Sequence, residues 1–414
     1  MSQPFTSVTY RPDIDGLRAV ACLSVCMFHA FPSFVPGGFI GVDIFFVISG
    51  YLISSIIFSK FNNGTFSFTD FYGRRIRRIL PALILILITS IILGWFVLFA
   101  DEYMQLGKHV FGGATFIQNF ILWNEVGYFD NSSATKPLLH LWSLSIEEQF
   151  YLLYPCIIFL GLRLNLKVSK IVLSISIVSF LINVIVIEFN LAAAFFLPFG
   201  RFWELMLGGV AYQLNNSYGT KYFINHRLFL VISEKLNQIN KSVYENIISL
   251  LGAYLILSGI ILLDGDMIFP GLFALLPVLG SIFIILAGQS AIINKKFLSN
   301  HIMVWFGKIS YPLYLWHWLL LSFARIVESQ TPDRTIRISI IGLSIGLGWI
   351  TYKFLEVPIR NGKHNGFKTY VLTLLLMVVG YSGACIYFEG GFPYRKSILE
   401  IIDNKSQLLR TQER

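Results

Sequence analysis

The sequence predicts an all-α fold: a polytopic membrane helix bundle of about eleven transmembrane helices. Three observations predict it. Of the 414 residues, 55% are hydrophobic and only 13% are charged, about half the charged share of a soluble domain. The apolar residues gather into runs near the ~20 residues that cross a ~30 Å hydrocarbon core. Most lysines and arginines fall in short links between those runs, where orientation signals belong. The net charge of +9 is thereby explained without nucleic acid, which is not an expected partner.

The expected spans lie near 17–35, 39–59, 79–99, 142–162, 171–189, 195–214, 246–264, 268–289, 303–324, 337–355 and 369–388. With the N-terminus in the cytoplasm, the inner links hold most of the basic residues. Among them are Lys60, Arg74, Arg75, Arg77 and Arg78, and later Lys221, Arg227, Lys235 and Lys241, then Arg360, Lys363 and Lys368. The outer links hold Lys108, Lys136, Arg325 and Arg334. This asymmetry fixes the orientation, and an odd helix count puts the C-terminus outside. The run "HVFGGATFIQNFILW" (109–123) is short for a span, and a crossing there would turn every later basic link outward. It is expected at the outer interface or as a re-entrant segment within an outer loop, 100–141. The first run follows a polar leader and lacks an A-x-A-like site, so it does not read as a signal peptide. The expected domains are a membrane domain, 1–390, and a polar tail, 391–414.

Ionisable residues inside spans are costly, so each is a functional candidate. The first run, "DGLRAVACLSVCMFHA", carries Arg18 and His29, eleven residues apart. Eleven residues make about three turns, so the two share a face roughly 16 Å apart along the axis. With Arg18 at the inner surface, His29 is expected near mid-membrane. Asp43 lies in the outer part of the second run. A tight "PSFVPGG" link makes the two runs expected antiparallel neighbours, so Asp43 either approaches His29 and holds its tautomer or is a helix-start residue hydrated from outside.

"FYGRRIRRILPAL" puts four arginines at the inner surface. They read as an anchor for anionic lipid or as a phosphate clamp. "LLHLWSLSIEEQFYLLYP" sets His140, Ser143, Glu147, Tyr151 and Tyr154 at steps of three or four, forming one polar stripe. Arg201 and Glu204 stand at i,i+3, the spacing of a self-neutralising pair. "ISYPLYLWHW" places Ser310 and His317 seven apart on one face. The four cysteines fall in apolar runs without metal-site spacing, so no metal is expected.

Together these segments, in this order and with "EVPIR" (356–360), resemble the acyltransferase 3 family of membrane acyltransferases. The resemblance spans residues 11 to 360. It implies an enzyme of the bacterial inner membrane that takes an acyl group, usually acetyl, from cytoplasmic acyl-CoA. The acceptor would be a hydroxyl on a sugar of a surface glycan or lipid-linked sugar, such as O-antigen or lipopolysaccharide. Arg18 and His29 match the family's Arg/Lys-x10-His pair, with His29 the catalytic histidine. Arg75 and Arg78 match its Arg-x-x-Arg motif on the CoA side, beside Arg74. Asp43, Glu147 and Ser310 match further motif positions, Asp43 and Glu147 expected at the catalytic centre and Ser310 on the donor side. The eleventh span resembles the branch that continues into an SGNH-type hydrolase domain. "EGGFPYR" looks like the start of its linker, and with the sequence stopping at Arg414 the expectation is a complete enzyme, a fragment, or an enzyme that works with a separate SGNH-type periplasmic protein as partner. His29 would act as base toward the acceptor hydroxyl or would carry the acyl group itself. The alternative from another class is a proton-coupled transporter or flippase, with the buried His, Asp, Glu and Arg as a proton relay.

Overall fold

The computed structural model describes residues 10–126, 133–215, 241–361, 364–395 and 397. The expected tail beyond Ser397, and the basic links at Lys221, Arg227, Lys235 and Lys363, lie outside the described residues. Among the described residues there are helices and turns and no strand. In chain order the helices are α1 (Pro12–Ala30), α2 (Gly41–Asn62), α3 (Phe68–Val97), α4 (Ala100–Ala114) and α5 (Gln118–Glu125). There follow α6 (Leu141–Arg163), α7 (Val168–Val186), α8 (Leu191–Phe196), α9 (Phe202–Asn215) and α10 (Lys241–Leu262). The last five are α11 (Leu275–Ala287), α12 (His301–Glu328), α13 (Arg334–Ile350), α14 (Val357–Asn361) and α15 (Asn365–Phe388).

Among the described residues, six helical stretches are long and apolar enough to cross a membrane: Gly38–Asn62, Phe68–Val97, Val168–Val186, Lys241–Leu262, Arg334–Asn361 and Asn365–Phe388. Several expected spans are broken. The 195–214 run is split into α8, a 3-10 turn at Pro198–Gly200 and α9. The break falls where Pro198 cannot donate a helical hydrogen bond. The 268–289 run begins as a 3-10 turn, Gly271–Ala274, before α11. The 109–123 run is a helix–turn–helix, its turn made at Phe116 with φ of 56°.

The chain forms two compact units that interleave along the sequence. The first comprises 1–68 and 146–311, the second 69–145 and 312–414. In the first, α2 is the central helix: 78% of its most apolar window is buried, against 28% for α7 and 22% for α10. Side chains such as Ile177, Leu181 and Ile185 of α7, and Leu250, Leu257 and Ile261 of α10, stay exposed. Apolar faces of this extent suit lipid rather than water.

Lipid gives apolar side chains little reason to prefer one another, so membrane helices associate through close backbone packing at small residues. The crossing of α2 and α9 does this from both sides. A Cβ on Gly50 would stand 1.8 Å from the Leu205 carbonyl oxygen, and one on Gly208 would stand 2.1 Å from that of Val47.

In the second unit, α4 and α5 carry an ion cluster. Lys108 and Lys136 place their ammonium groups 2.7 and 2.8 Å from the Glu125 carboxylate, and His109 Nε2 lies 3.0 Å from it. Burial opposes ionisation of Glu125, but His109, Lys108 and Lys136 outweigh it and hold the carboxyl well below the usual range. Arg395 binds the far end of α3: its guanidinium donates to the carbonyls of Trp95 at 2.6 Å, Leu98 at 2.8 Å and Phe99 at 3.0 Å. Those carbonyls lie at or just beyond the helix C-terminus, where intrahelical donors run out and a cation is favoured.

Two outcomes follow from this packing. Gly208→Val is expected to abolish recovery of monodisperse protein after detergent extraction. Gly342→Ala, where an added Cβ meets nothing within 4 Å, should elute as wild type. The second concerns acid. A carboxyl held below its unfolded value of about 4.3 adds stability that is present above that pH and lost as the pH falls through the lower folded value. The unfolding temperature of the wild type should therefore drop as the pH falls below about 4.3. In Glu125→Gln that acid-dependent component should be missing, giving a shallower profile by scanning fluorimetry.

Candidate active site

The first unit gathers most of the expected catalytic residues. Helix α1 starts with Pro12 at its first position, where the missing N–H costs nothing and φ is already helical. It runs without interruption to Ala30, so Arg18 and His29 do share one straight helix and one face. The helix begins five residues before the expected span and ends one residue after His29. His29 therefore stands at the end of α1, with its ring 5.4 Å from that of Phe28. Arg18 lies 3.6 Å from Asp15, whose other oxygen accepts from Tyr10 Oη at 2.7 Å.

Asp43 sits in the first turn of α2 and is fully buried. Its partner is Arg201, at 2.9 Å, and not His29. Arg201 also lies 2.9 Å from Glu204, so one guanidinium bridges two carboxylates inside the unit. The reason is placement. The break at Pro198–Gly200 ends in Arg201, immediately before α9, and the close α2–α9 crossing brings it to the Asp43 face of α2. The rings of Phe46, Phe195 and Phe269 lie 5.5 to 5.9 Å from the guanidinium carbon, a distance at which ring faces attract a cation. The expected Arg201–Glu204 pair is present. Asp43 as the third member was missed, because a partner 158 residues away leaves no spacing signal.

Glu147 of α6 accepts hydrogen bonds from the hydroxyls of Ser49 and Tyr151, and Tyr154 shares a hydrogen bond of 2.9 Å with Ser54. The part of the expected polar stripe from Glu147 to Tyr154 thus meets α2 at Ser49 and Ser54. Ser310 is buried, and its hydroxyl donates to the Gly307 carbonyl of its own helix at 2.8 Å. Its carbonyl accepts from the Cys22 thiol at 3.3 Å, which ties the first half of α12 to α1.

The arginine cluster and the remaining histidines belong to the second unit. Arg74 is exposed and paired with Asp70 one turn away; such pairs contribute little. Arg77 is buried and structural: its Nη1 donates to Thr369 Oγ1 at 2.6 Å and to the Asn365 carbonyl at 3.2 Å, joining α3 to α15. Arg75 and Arg78, the two arginines of the expected donor motif, are half-buried. His140 is buried, and Tyr314 Oη donates to its backbone carbonyl at 2.9 Å. His317 is buried on the same helix as Tyr314.

Removing a guanidinium from between two buried carboxylates leaves charge without a partner, a loss of about 3–5 kcal/mol. Arg201→Met is accordingly expected to lower the unfolding temperature far more than Arg74→Met, measured side by side in detergent.

Comparison with known proteins places this arrangement. The model of an acyltransferase domain, that of the acyltransferase 3 family, matches residues 11–353. O-acetyltransferase OatA of Staphylococcus aureus strain NCTC 8325 / PS 47 is 32% identical over 378 residues, 88% of this chain and 59% of its own length. A relative from Staphylococcus aureus strain MSSA476 is 31% identical over 367 residues, 86% of this chain and 58% of its own. The chain therefore spans less than two thirds of the length of these relatives. No solved structure matches it. With a family match that covers Arg18, His29, Asp43, the arginine cluster, Glu147 and Ser310 in one alignment, the chain belongs to the acyltransferase 3 family.

Proposed function

We propose that this protein is a membrane O-acyltransferase that moves an acyl group, acetyl foremost, from cytoplasmic acyl-CoA to a sugar hydroxyl of a surface glycan. The observation that carries the reading is Arg18 and His29 on one face of an uninterrupted α1, within the segment matched by the acyltransferase family. Relatives named O-acetyltransferase OatA support acetyl as the group moved and oxygen as its destination. The concentration of basic residues in alternate links supports an N-terminus on the cytoplasmic side and a C-terminus outside.

In this scheme the CoA phosphates are held by Arg75 and Arg78, whose planar guanidinium groups suit bidentate phosphate contacts. The pantetheine arm carries the thioester toward His29. The imidazole takes the proton of the acceptor hydroxyl as the oxygen bonds to the acyl carbon. The carbon–sulfur bond then breaks, and the coenzyme leaves as its thiol once it has taken up that proton. Arg18, one face with His29 and about 16 Å along the axis, contributes positive charge on the donor side. Asp43, Arg201 and Glu204 are close together within the first unit. They are the buried ionic link that keeps α2 and α9 in register.

General-base catalysis by a positioned histidine contributes about 10²–10⁴-fold. His29→Ala, expressed in cells that lack their own copy, is expected to lower the ester-linked acetyl of the envelope glycan by at least about 100-fold, while purified protein still binds acetyl-CoA. Wild-type acetyl content with His29→Ala would sink the reading. A protein that binds no acetyl-CoA at all would return the transporter alternative.

A further inference from the structure

The scheme above uses Arg18 but not the contacts that hold the end of α1 carrying it. Within the first unit, the segment from Ile284 to Leu298 touches that end at four places. The Ile285 carbonyl accepts from Arg11 Nη2 at 3.1 Å, and Gln289 Nε2 donates to the Tyr10 carbonyl at 2.9 Å. Arg11 makes a two-pronged pair with Asp13, Nε to Oδ1 at 2.9 Å and Nη2 to Oδ2 at 2.7 Å. Asp13 is 1% exposed, and Asn294 Nδ2 donates to its Oδ2 at 2.8 Å. The segment ends in a π-helical turn, Asn294–Leu298, whose last carbonyl abuts Gly16: a Cβ there would stand 2.0 Å from the Leu298 oxygen. Helix α12 presses as closely, since a Cβ on Gly307 would stand 1.9 Å from the Asp15 carbonyl oxygen. Contacts this close, backbone against backbone, leave the first turns of α1 no room to slide.

Asn294 is the residue on which this grip turns. It is fully buried. A side-chain amide carries two N–H donors at one end and a carbonyl at the other. The nitrogen of Asn294 faces two acceptors, Asp13 Oδ2 and the Ile284 carbonyl, each at 2.8 Å. Its oxygen accepts from the Ser249 hydroxyl of α10 at 2.8 Å. One side chain thus ties α1, α10 and the end of α11 at a single point. A single π-helical turn is rare and is frequent at functional sites. Here it delivers the Asn294 amide and the Leu298 carbonyl to α1 together. Arg18 follows Asp13 by five residues and Gly16 by two on the same helix, and lies 3.6 Å from Asp15. A displacement of α1 at Asp13 or Gly16 is therefore a displacement of Arg18.

We propose that Asn294 is a positioning residue for acyl transfer, which by fixing the first turns of α1 sets where the Arg18 guanidinium is presented to the acyl-CoA donor. This rests on the acyl-transfer reading of the preceding subsection and deepens its donor side. Asn294 itself touches neither substrate and acts through Arg18.

The test uses the full chain purified in detergent, with acetyl-CoA as the probe and its dissociation constant as the readout. Wild type, Asn294→Leu, Arg18→Ala and the double variant are compared. Asn294→Leu is expected to weaken acetyl-CoA binding at least about fivefold, the worth of about one hydrogen bond. In the Arg18→Ala background the same substitution should have no further effect, because the group through which it acts is gone. Should Asn294→Leu fail to fold, Ser249→Ala takes its place in both backgrounds. It removes only the contact to the amide oxygen and is expected to weaken binding about twofold, again only where Arg18 is present. Equal weakening with and without Arg18 overturns the proposal and makes Asn294 a packing residue, and so does wild-type affinity in the single variant. If Arg18→Ala binds acetyl-CoA as tightly as wild type, the proposal falls while acyl transfer stands. If the wild type binds no acetyl-CoA, the acyl-transfer reading itself falls and this proposal with it.

Discussion

The close approach of α2 and α9 is the constraint on which the first unit depends. Two glycines, Gly50 and Gly208, let each backbone touch the carbonyl of the other. In a lipid environment this contact cannot be replaced by apolar bulk, because lipid tails offer the same dispersion attraction as a neighbouring side chain. Once the backbones meet, Asp43 and Arg201 lie within hydrogen-bond distance, and Glu204 completes the neutralisation from the same helix as Arg201. The ionic link and the glycine contact support each other. Neither charge could be buried without the crossing, and the crossing gains its register from the charges.

Other parts of the first unit are tied to that core. Glu147 on α6 reaches α2 through Ser49, and Tyr154 reaches it through Ser54. Ser310 brings the first half of α12 against Cys22 of α1. Helix α1, the bearer of Arg18 and His29, itself packs on α2, where a Cβ on Gly41 would stand 2.2 Å from the Ala21 carbonyl oxygen. The second unit has its own fasteners, with Arg77 joining α3 to α15 and Arg395 closing the end of α3. Both arginines donate to backbone or hydroxyl oxygens. A guanidinium can satisfy several acceptors at once, and helix ends present several.

Much of this was legible from residue order. The apolar runs announced a helical membrane protein, and the Arg18–His29 spacing announced a shared face because helical geometry alone fixes it. The Arg201–Glu204 pair was visible for the same reason. What spacing did not reveal was the division of labour among similar residues. Four clustered arginines look alike in sequence, yet Arg74 is exposed, Arg77 is structural, and Arg75 and Arg78 are half-buried. Asp43 looked like a partner for His29 because the link between their helices is short. It belongs to Arg201, because a buried carboxylate goes to the strongest cation that packing brings within reach.

The sequence by itself determined the class of the protein, its helical content, the shared face of Arg18 and His29, and the motif set that places it in its family. These depend on composition and on local periodicity, which act within a few residues of chain. Only the tertiary structure decided that apolar runs such as 195–214 break at a proline turn. It alone decided that His29 stands at the end of its helix, that Asp43 is shared with Arg201 and Glu204, and that Asn294 ties Asp13 of α1 to Ser249 of α10. Each of those turns on contacts between residues far apart in sequence. Such contacts are selected by backbone approach and by the need to pair every buried charge and hydrogen-bonding group, and neither requirement leaves a mark on local spacing.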